Sequence, residues 1–107
     1  MILHIVERGV WEEAQRAGEY RAASLATEGF IHASRPEQVL ATANRFYRDI
    51  PDVLLLWIDP QRLLAPIRYE ASEGEIFPHI YGPLNLDSVV RVCELAPDAD
   101  GIYRILN

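Results

Sequence analysis

Residues 53–58, Val53-Leu54-Leu55-Leu56-Trp57-Ile58, decide the fold. They form an unbroken apolar run of strand length, with no polar position to turn toward water. Such a run predicts a central strand covered on both faces. The segments on either side must supply those two covers.

Upstream, Ser34-Arg35-Pro36-Glu37 has the spacing of a capping box, with proline in the first turn, where its missing N–H costs nothing. Val39, Ala43, Phe46 and Tyr47 then recur at helical spacing, and Asp49-Ile50-Pro51-Asp52 ends the helix. Before it, Gly29 to Ala33 reads as a strand, and residues 18–28, which have no clean period, read as an ordered loop. Trp11 to Ala17 reads as a short helix bounded by Gly9 and stopped by Gly18. Met1 to Glu7 reads as a first strand, with Ile2, His4 and Val6 on one face and Leu3 and Ile5 on the other.

Downstream, Asp59-Pro60 begins a turn, Ile67 to Ala71 is a shorter strand, and Glu73-Gly74-Glu75 is an exposed bend. The two prolines of Ile76 to Leu84 exclude a regular central strand through that whole segment. Val89 to Leu95 and Ile102 to Leu106 are further strands. Two helices and about six strands, with the helices gathered in the first half, argue for an α+β fold over a regularly alternating α/β one. A chain of 107 residues is one domain's worth, so residues 1–107 form a single domain around a single core.

The formal net charge of −6 gives no basic field for duplex DNA or an anionic membrane. All ten positive charges are arginines. A lysine Schiff base and a P-loop lysine are therefore excluded. One cysteine, Cys93, in the strand-like VVRVCEL, rules out an internal disulfide and fits a reducing compartment. The N-terminus turns acidic too early for a secretory signal, and the longest apolar run is too short to span a bilayer, so a cytoplasmic location is expected.

The three histidines all sit between apolar neighbours, in Leu3-His4-Ile5, Ile31-His32-Ala33 and Pro78-His79-Ile80. On a strand, such a histidine points into a core or a cleft. Phe30, His32 and Ser34 share one strand face, and Phe77, His79 and Tyr81 share another if residues 77–81 are extended. Each set would present an aromatic, an imidazole and a hydroxyl in a row, which suits a site that stacks a flat group and hydrogen-bonds its rim. Each residue also has a plainer role open to it. His4 can be a buried histidine satisfied by backbone, and Ser34 a helix cap rather than a nucleophile. Glu70 is either an ion-pair partner of an arginine or a cleft carboxylate. Arg21 is either a bidentate clamp for phosphate or carboxylate, or a solvated charge. No histidine pair has zinc-motif spacing, so no metal is expected.

His4-Ile5-Val6, Trp11, Gly18-Glu19-Tyr20, Ser24-Leu25, Glu28 to Ser34 (EGFIHAS) with Gln38, Arg68-Tyr69-Glu70 and Phe77 to Leu84 (FPHIYGPL) together resemble the bacterial family called domain of unknown function 952, nearly end to end. The resemblance implies a split sheet like that of ADP-ribosyltransferases, which cleave the nicotinamide–ribose bond of NAD. On that likeness His4 would hold the ribose, Tyr20 or Tyr81 would stack on nicotinamide, and Glu70 would stabilise the charge developing on the ribose. The Glu-x-Glu pair of the toxin-like branch is absent, since Arg68 takes the other position. The RNA 2′-phosphotransferase branch would find its nearest equivalents in His32, Ser34 and Arg21. The expected function is binding of a nucleotide of the NAD or ADP-ribose type, with ADP-ribosyl- or phosphotransferase-type chemistry centred on Glu70, His32 and His79. NAD would be a substrate rather than a resident cofactor. The alternatives are a non-catalytic small-molecule binder and a protein-interaction domain whose histidines are structural.

Overall fold

The structure, a computed structural model, describes residues 1–104. In chain order its elements are β1 (Ile2–Glu7), α1 (Arg8–Ala17), β2 (Glu19–Tyr20), α2 (Ala23–Thr27), β3 (Ile31–His32), α3 (Val39–Phe46), β4 (Val53–Ile58), β5 (Ile67–Ser72), β6 (Glu75–Ile80), β7 (Leu84–Asn85), a 3-10 turn at Leu86–Ser88, and β8 (Val89–Leu95). The fold is α+β. Among the described residues no helix is long and apolar enough to cross a membrane.

The 53–58 run is the middle strand of a three-stranded antiparallel sheet in the order β1-β4-β8, and it is covered on both faces. Leu54, Leu56 and Ile58 join Ile2 and Val6 in one core, closed by Trp11 and Ala14 of α1 and by Ile31, Ile80 and Leu84. Val53 and Leu55 join Leu3 and Ile5 in a second core, closed by Val39 and Ala43 of α3 and by Tyr103. Each fully buried leucine in such a layer stabilises the fold by about 1.5–3 kcal/mol relative to exposure.

A second three-stranded antiparallel sheet has the order β3-β6-β5, and β2 pairs with β7 apart from both. The two larger sheets meet at one bridge, where the N–H groups of Leu3 and Ser34 each donate to the other residue's carbonyl at 2.8 Å. That bridge lays the histidine-bearing face of the second sheet against the edge of β1.

Several local expectations need correction. Gly9 lies inside α1 rather than before it, whereas Gly18 ends the helix as expected, at φ 88° with its N–H on the Ala14 carbonyl. Residues 18–28 are not loop throughout, because they carry β2 and the one-turn helix α2. Ser34 does not cap α3, which begins at Val39. Its backbone is committed to the Leu3 bridge, and the Gln38 side chain instead accepts the Arg35 N–H at 3.0 Å. The bend is a two-residue hairpin turn of Glu73 and Gly74, both at positive φ, the backbone a tight hairpin demands, and Glu75 already opens β6.

Pro78 sits within β6, the central strand of the second sheet. Its carbonyl accepts the Ala33 N–H, and in an extended strand the N–H and C=O of one residue point the same way. The missing N–H therefore faces Ala33, one residue past the end of β3, and the ladder to β5 is left intact. The predicted last strand at 102–106 falls partly outside the described residues, and its described part, residues 102–104, is not a strand.

Candidate functional site

Strand register builds the site. His32 pairs directly with His79, and His79 with Arg68 on its other side, so these three side chains form one row on one face of the second sheet. Glu70 and Phe77 form the next row of that face. The two segments that the sequence marks as aromatic-imidazole rows thus lie side by side. Phe30 stacks on His79 with ring centroids 4.1 Å apart and planes at 17°, and the His32 and His79 rings meet edge-on at 5.6 Å.

His79 is only 5% exposed. Its Nδ1 lies 2.8 Å from Glu70 Oε1, and the same oxygen accepts the Tyr81 hydroxyl at 2.5 Å. These two donors, Tyr81 first and His79 second, hold the Glu70 carboxyl below its ordinary range. The reciprocal effect pushes the Tyr81 phenol up. An ionised carboxylate only accepts, so Nδ1 carries the proton and a neutral His79 presents its lone pair at Nε2. No hydrogen-bond partner for Nε2 exists among the described residues. The arrangement is a carboxylate-oriented imidazole with its basic nitrogen left free.

His32 is half-exposed and has its own carboxylate, with Nε2 3.0 Å from Glu28 Oε2. By the same reasoning its free lone pair lies at Nδ1. The two rings are therefore oriented by carboxylates through opposite nitrogens.

His4 behaves differently. Its Nδ1 lies 2.5 Å from the His32 carbonyl, which can only accept, so Nδ1 is protonated. Its Nε2 must then accept the Tyr20 hydroxyl, at 2.7 Å. Both ring nitrogens are spoken for. Burial pushes the imidazole down to about 4, against a smaller upward pull from the His32 carbonyl, so the ring is neutral near pH 7. Burial likewise pushes the Tyr20 phenol up. The Tyr20 ring packs between His4 and Trp11 and offers no open shelf for a ligand.

A cleft of about 730 Å³ opens between β1, α3 and the second sheet, and His4, Tyr20, His32, Ser34 and His79 all line it. Glu70 and Tyr81 do not line it and stand behind His79. Arg21 is also outside, with Nε donating to Glu19 at 2.6 Å. Ser34 is buried, and among the described residues its hydroxyl has only a long contact, 3.4 Å, to Thr42. Arg68 lies over the Tyr81 ring at 4.8 Å. Among the described residues no cluster of His, Cys, Asp and Glu has the disposition to hold a metal.

The floor of the cleft is the outer edge of β1. Both backbone groups of Leu3 point away from β4 to Ser34, and strand alternation makes those of Ile5 point the same way. Ile5 lines the cleft, and its N–H and C=O have no partner among the described residues. A donor and an acceptor side by side on a buried edge await a complementary group. Sequence reasoning missed this feature, because backbone pairing is invisible in side-chain identity. It also missed the role of Glu28, although its position four residues before His32 was a usable signal.

The family model described as Protein of unknown function (DUF952) matches residues 5–92. The chain is also similar to protein CC0527 from Caulobacter crescentus. The crystal structure of that protein is 35% identical, covers 96% of this chain and 92% of its own, and superposes with a TM-score of 0.88. A double-mutant crystal structure of it gives 34% identity, the same coverage and a TM-score of 0.87. Its solution NMR structure gives 35% identity, 96% and 90% coverage, and a TM-score of 0.82. No curated protein matches the chain.

Proposed function

The chain belongs to the family described as Protein of unknown function (DUF952), and from that premise we propose that its cleft binds a nucleotide of the NAD or ADP-ribose type and that His79 accepts a proton in a transfer reaction at the ribose. The observation that carries this reading is the buried His79 ring, oriented by Glu70 at Nδ1, with an unpartnered Nε2 in a cleft of ligand size. The paired N–H and C=O of Ile5 on the cleft floor match the acceptor and donor of a primary carboxamide such as that of nicotinamide. Two three-stranded sheets joined at one bridge support the likeness to ADP-ribosyltransferases, which remains an analogy of fold. The lone cysteine, Cys93, fits a cytoplasmic setting.

In this scheme the Nε2 lone pair takes the proton of an attacking hydroxyl or water. The new oxygen–carbon bond forms at the anomeric carbon as its bond to the ring nitrogen breaks, and the bonding pair leaves with the ring. Glu70 is a positioning residue here, since it reaches the cleft only through His79. That role differs from the direct stabilisation of ribose charge implied by the resemblance. His32, backed by Glu28, is placed as the second proton carrier. His4 holds β1, Tyr20 and the His32 carbonyl together, so its contribution is to shape rather than to contact.

The placement of Glu70 outside the cleft favours one competing reading, a binding protein without turnover. Thermal shift and calorimetric titration with NAD and ADP-ribose, followed by an assay for nicotinamide release, separate the two. We expect saturable stabilisation, and release that falls steeply in Glu70→Gln while binding persists. Binding with no release in the wild type would favour the non-catalytic reading. No shift with either nucleotide at millimolar concentration would remove the nucleotide altogether.

A further inference from the structure

We infer that the group this cleft selects is a positively charged planar ring, of the N-substituted pyridinium kind, and not the phosphate portion of a nucleotide. The inference deepens the nucleotide reading and rests on it in one respect only, the choice of ring. It begins from the charges on the walls. Among the described residues, Glu7, Glu28, Glu73 and Glu75 line the cleft, and Arg45 is the one guanidinium that does. Arg45 is already held by Glu73 at 2.8 Å. A pyrophosphate in this space would meet carboxylates and no free cation, whereas a cation would be attracted by the same field.

Acidic walls alone would not define a site. Two independent features point at a ligand there. The His79 ring is more than nine-tenths buried, lines the same cleft, and has an Nε2 with no hydrogen-bond partner among the described residues. The Ile5 backbone offers an unpaired donor and acceptor at its floor. The walls also supply aromatic faces. Phe77 lines the cleft, and so does Phe46, a residue 57% exposed. The Arg45 guanidinium lies 5.2 Å from the centre of that Phe46 ring, so the face already accepts a cation.

The walls thus have three complementary demands: positive charge for the carboxylates, a flat body for the aromatic faces, and an amide for Ile5. A carboxamide-bearing pyridinium meets all three. The oxidised form of a nicotinamide nucleotide carries that ring, while ADP-ribose does not.

The test is calorimetric titration of the full chain with 1-methylnicotinamide, its neutral counterpart nicotinamide, NAD and ADP-ribose. We expect the cation to bind more tightly than nicotinamide by about tenfold, the scale of charge and cation–π attraction at a half-open site, with the preference shrinking as salt rises. The double variant Glu7→Gln, Glu75→Gln alters two exposed side chains that take no part in the proton transfer and should shrink the preference for the cation without changing the affinity for nicotinamide itself. Equal affinity for the two small rings, no binding of either, or a preference untouched in the double variant would overturn the inference. ADP-ribose binding as tightly as NAD would overturn it while leaving the nucleotide reading intact. Binding of 1-methylnicotinamide with neither nucleotide bound would uphold it and end the nucleotide reading.

Discussion

The neutral, buried His4 should make this protein lose stability on mild acidification, and the loss should disappear in His4→Gln. In the folded chain burial pushes the imidazole down to about 4, whereas its ordinary value is 6.5. Between those two pH values the unfolded chain binds a proton that the native state refuses. Stability therefore rises with pH through that window, levels off above it, and has lost the full contribution of this group below about 4. At about 1.4 kcal/mol per pH unit, the gap corresponds to roughly 3 kcal/mol. That is a large fraction of the 5–15 kcal/mol typical of a domain, on the order of a third. Glu70 and Asp100 have depressed carboxyls, so they stabilise above their ordinary values, 4.5 and 3.8, and lose that contribution as pH falls further. The interval from pH 6.5 down to 5 thus lies clear of those two carboxyls, and the comparison with His4→Gln across it isolates this histidine. Urea titrations at half-unit steps across it should show the unfolding free energy of the wild type falling, with an unchanged dependence on denaturant. In His4→Gln the same interval should be flatter by the difference. Parallel curves for the two proteins, or a wild type that gains stability on acidification, would refute the account of His4 as a neutral clamp.

Other consequences follow from specific contacts. Tyr20→Phe removes the one donor to His4 Nε2 among the described residues and leaves a buried acceptor unpaired, at a cost of about 1–3 kcal/mol measurable by chemical denaturation. Gly82→Ala would place a Cβ 2.9 Å from the Ala65 Cβ and should destabilise by about 1–3 kcal/mol, with Ala65→Gly restoring much of the loss in the double variant. Leu55→Ala in the central strand opens a cavity in the layer under α3 and should cost about 2–5 kcal/mol in the same assay.

The sequence was most legible where a pattern ran long enough to fix the face of an element. The 53–58 run and Val89–Leu95 came through with their bounds intact, because six or seven residues of strand leave little to the surroundings. Short elements did not. β2 has two residues and α2 five, too few for a period, and both owe their form to what they pack against. Ser34 illustrates a competition that spacing cannot reveal: its capping pattern was sound, but its backbone was needed to bridge the two sheets. Pro78 shows the converse, since a forbidden residue is harmless where the neighbouring strand has already stopped.

The same division holds at the site. Alternation along two strands was enough to line up Phe30, His32, Phe77 and His79, because register turned two separate faces into one. What alternation could not show was depth. His4 and Tyr20 line the cleft but satisfy each other, while Glu70 and Tyr81 stand outside it and reach it through His79. Only three-dimensional packing tells a residue that touches a ligand from one that holds another in place.

The central claim is that His79 and the edge of β1 face one binding cleft, and ligand titration followed by NMR tests it most directly. On adding NAD, the account predicts saturable shifts at the Ile5 amide and the His79 ring, with the His4 ring little changed. Titration curves in which Ile5 and His79 stay fixed while other surfaces respond, or nothing responds at all, would contradict it.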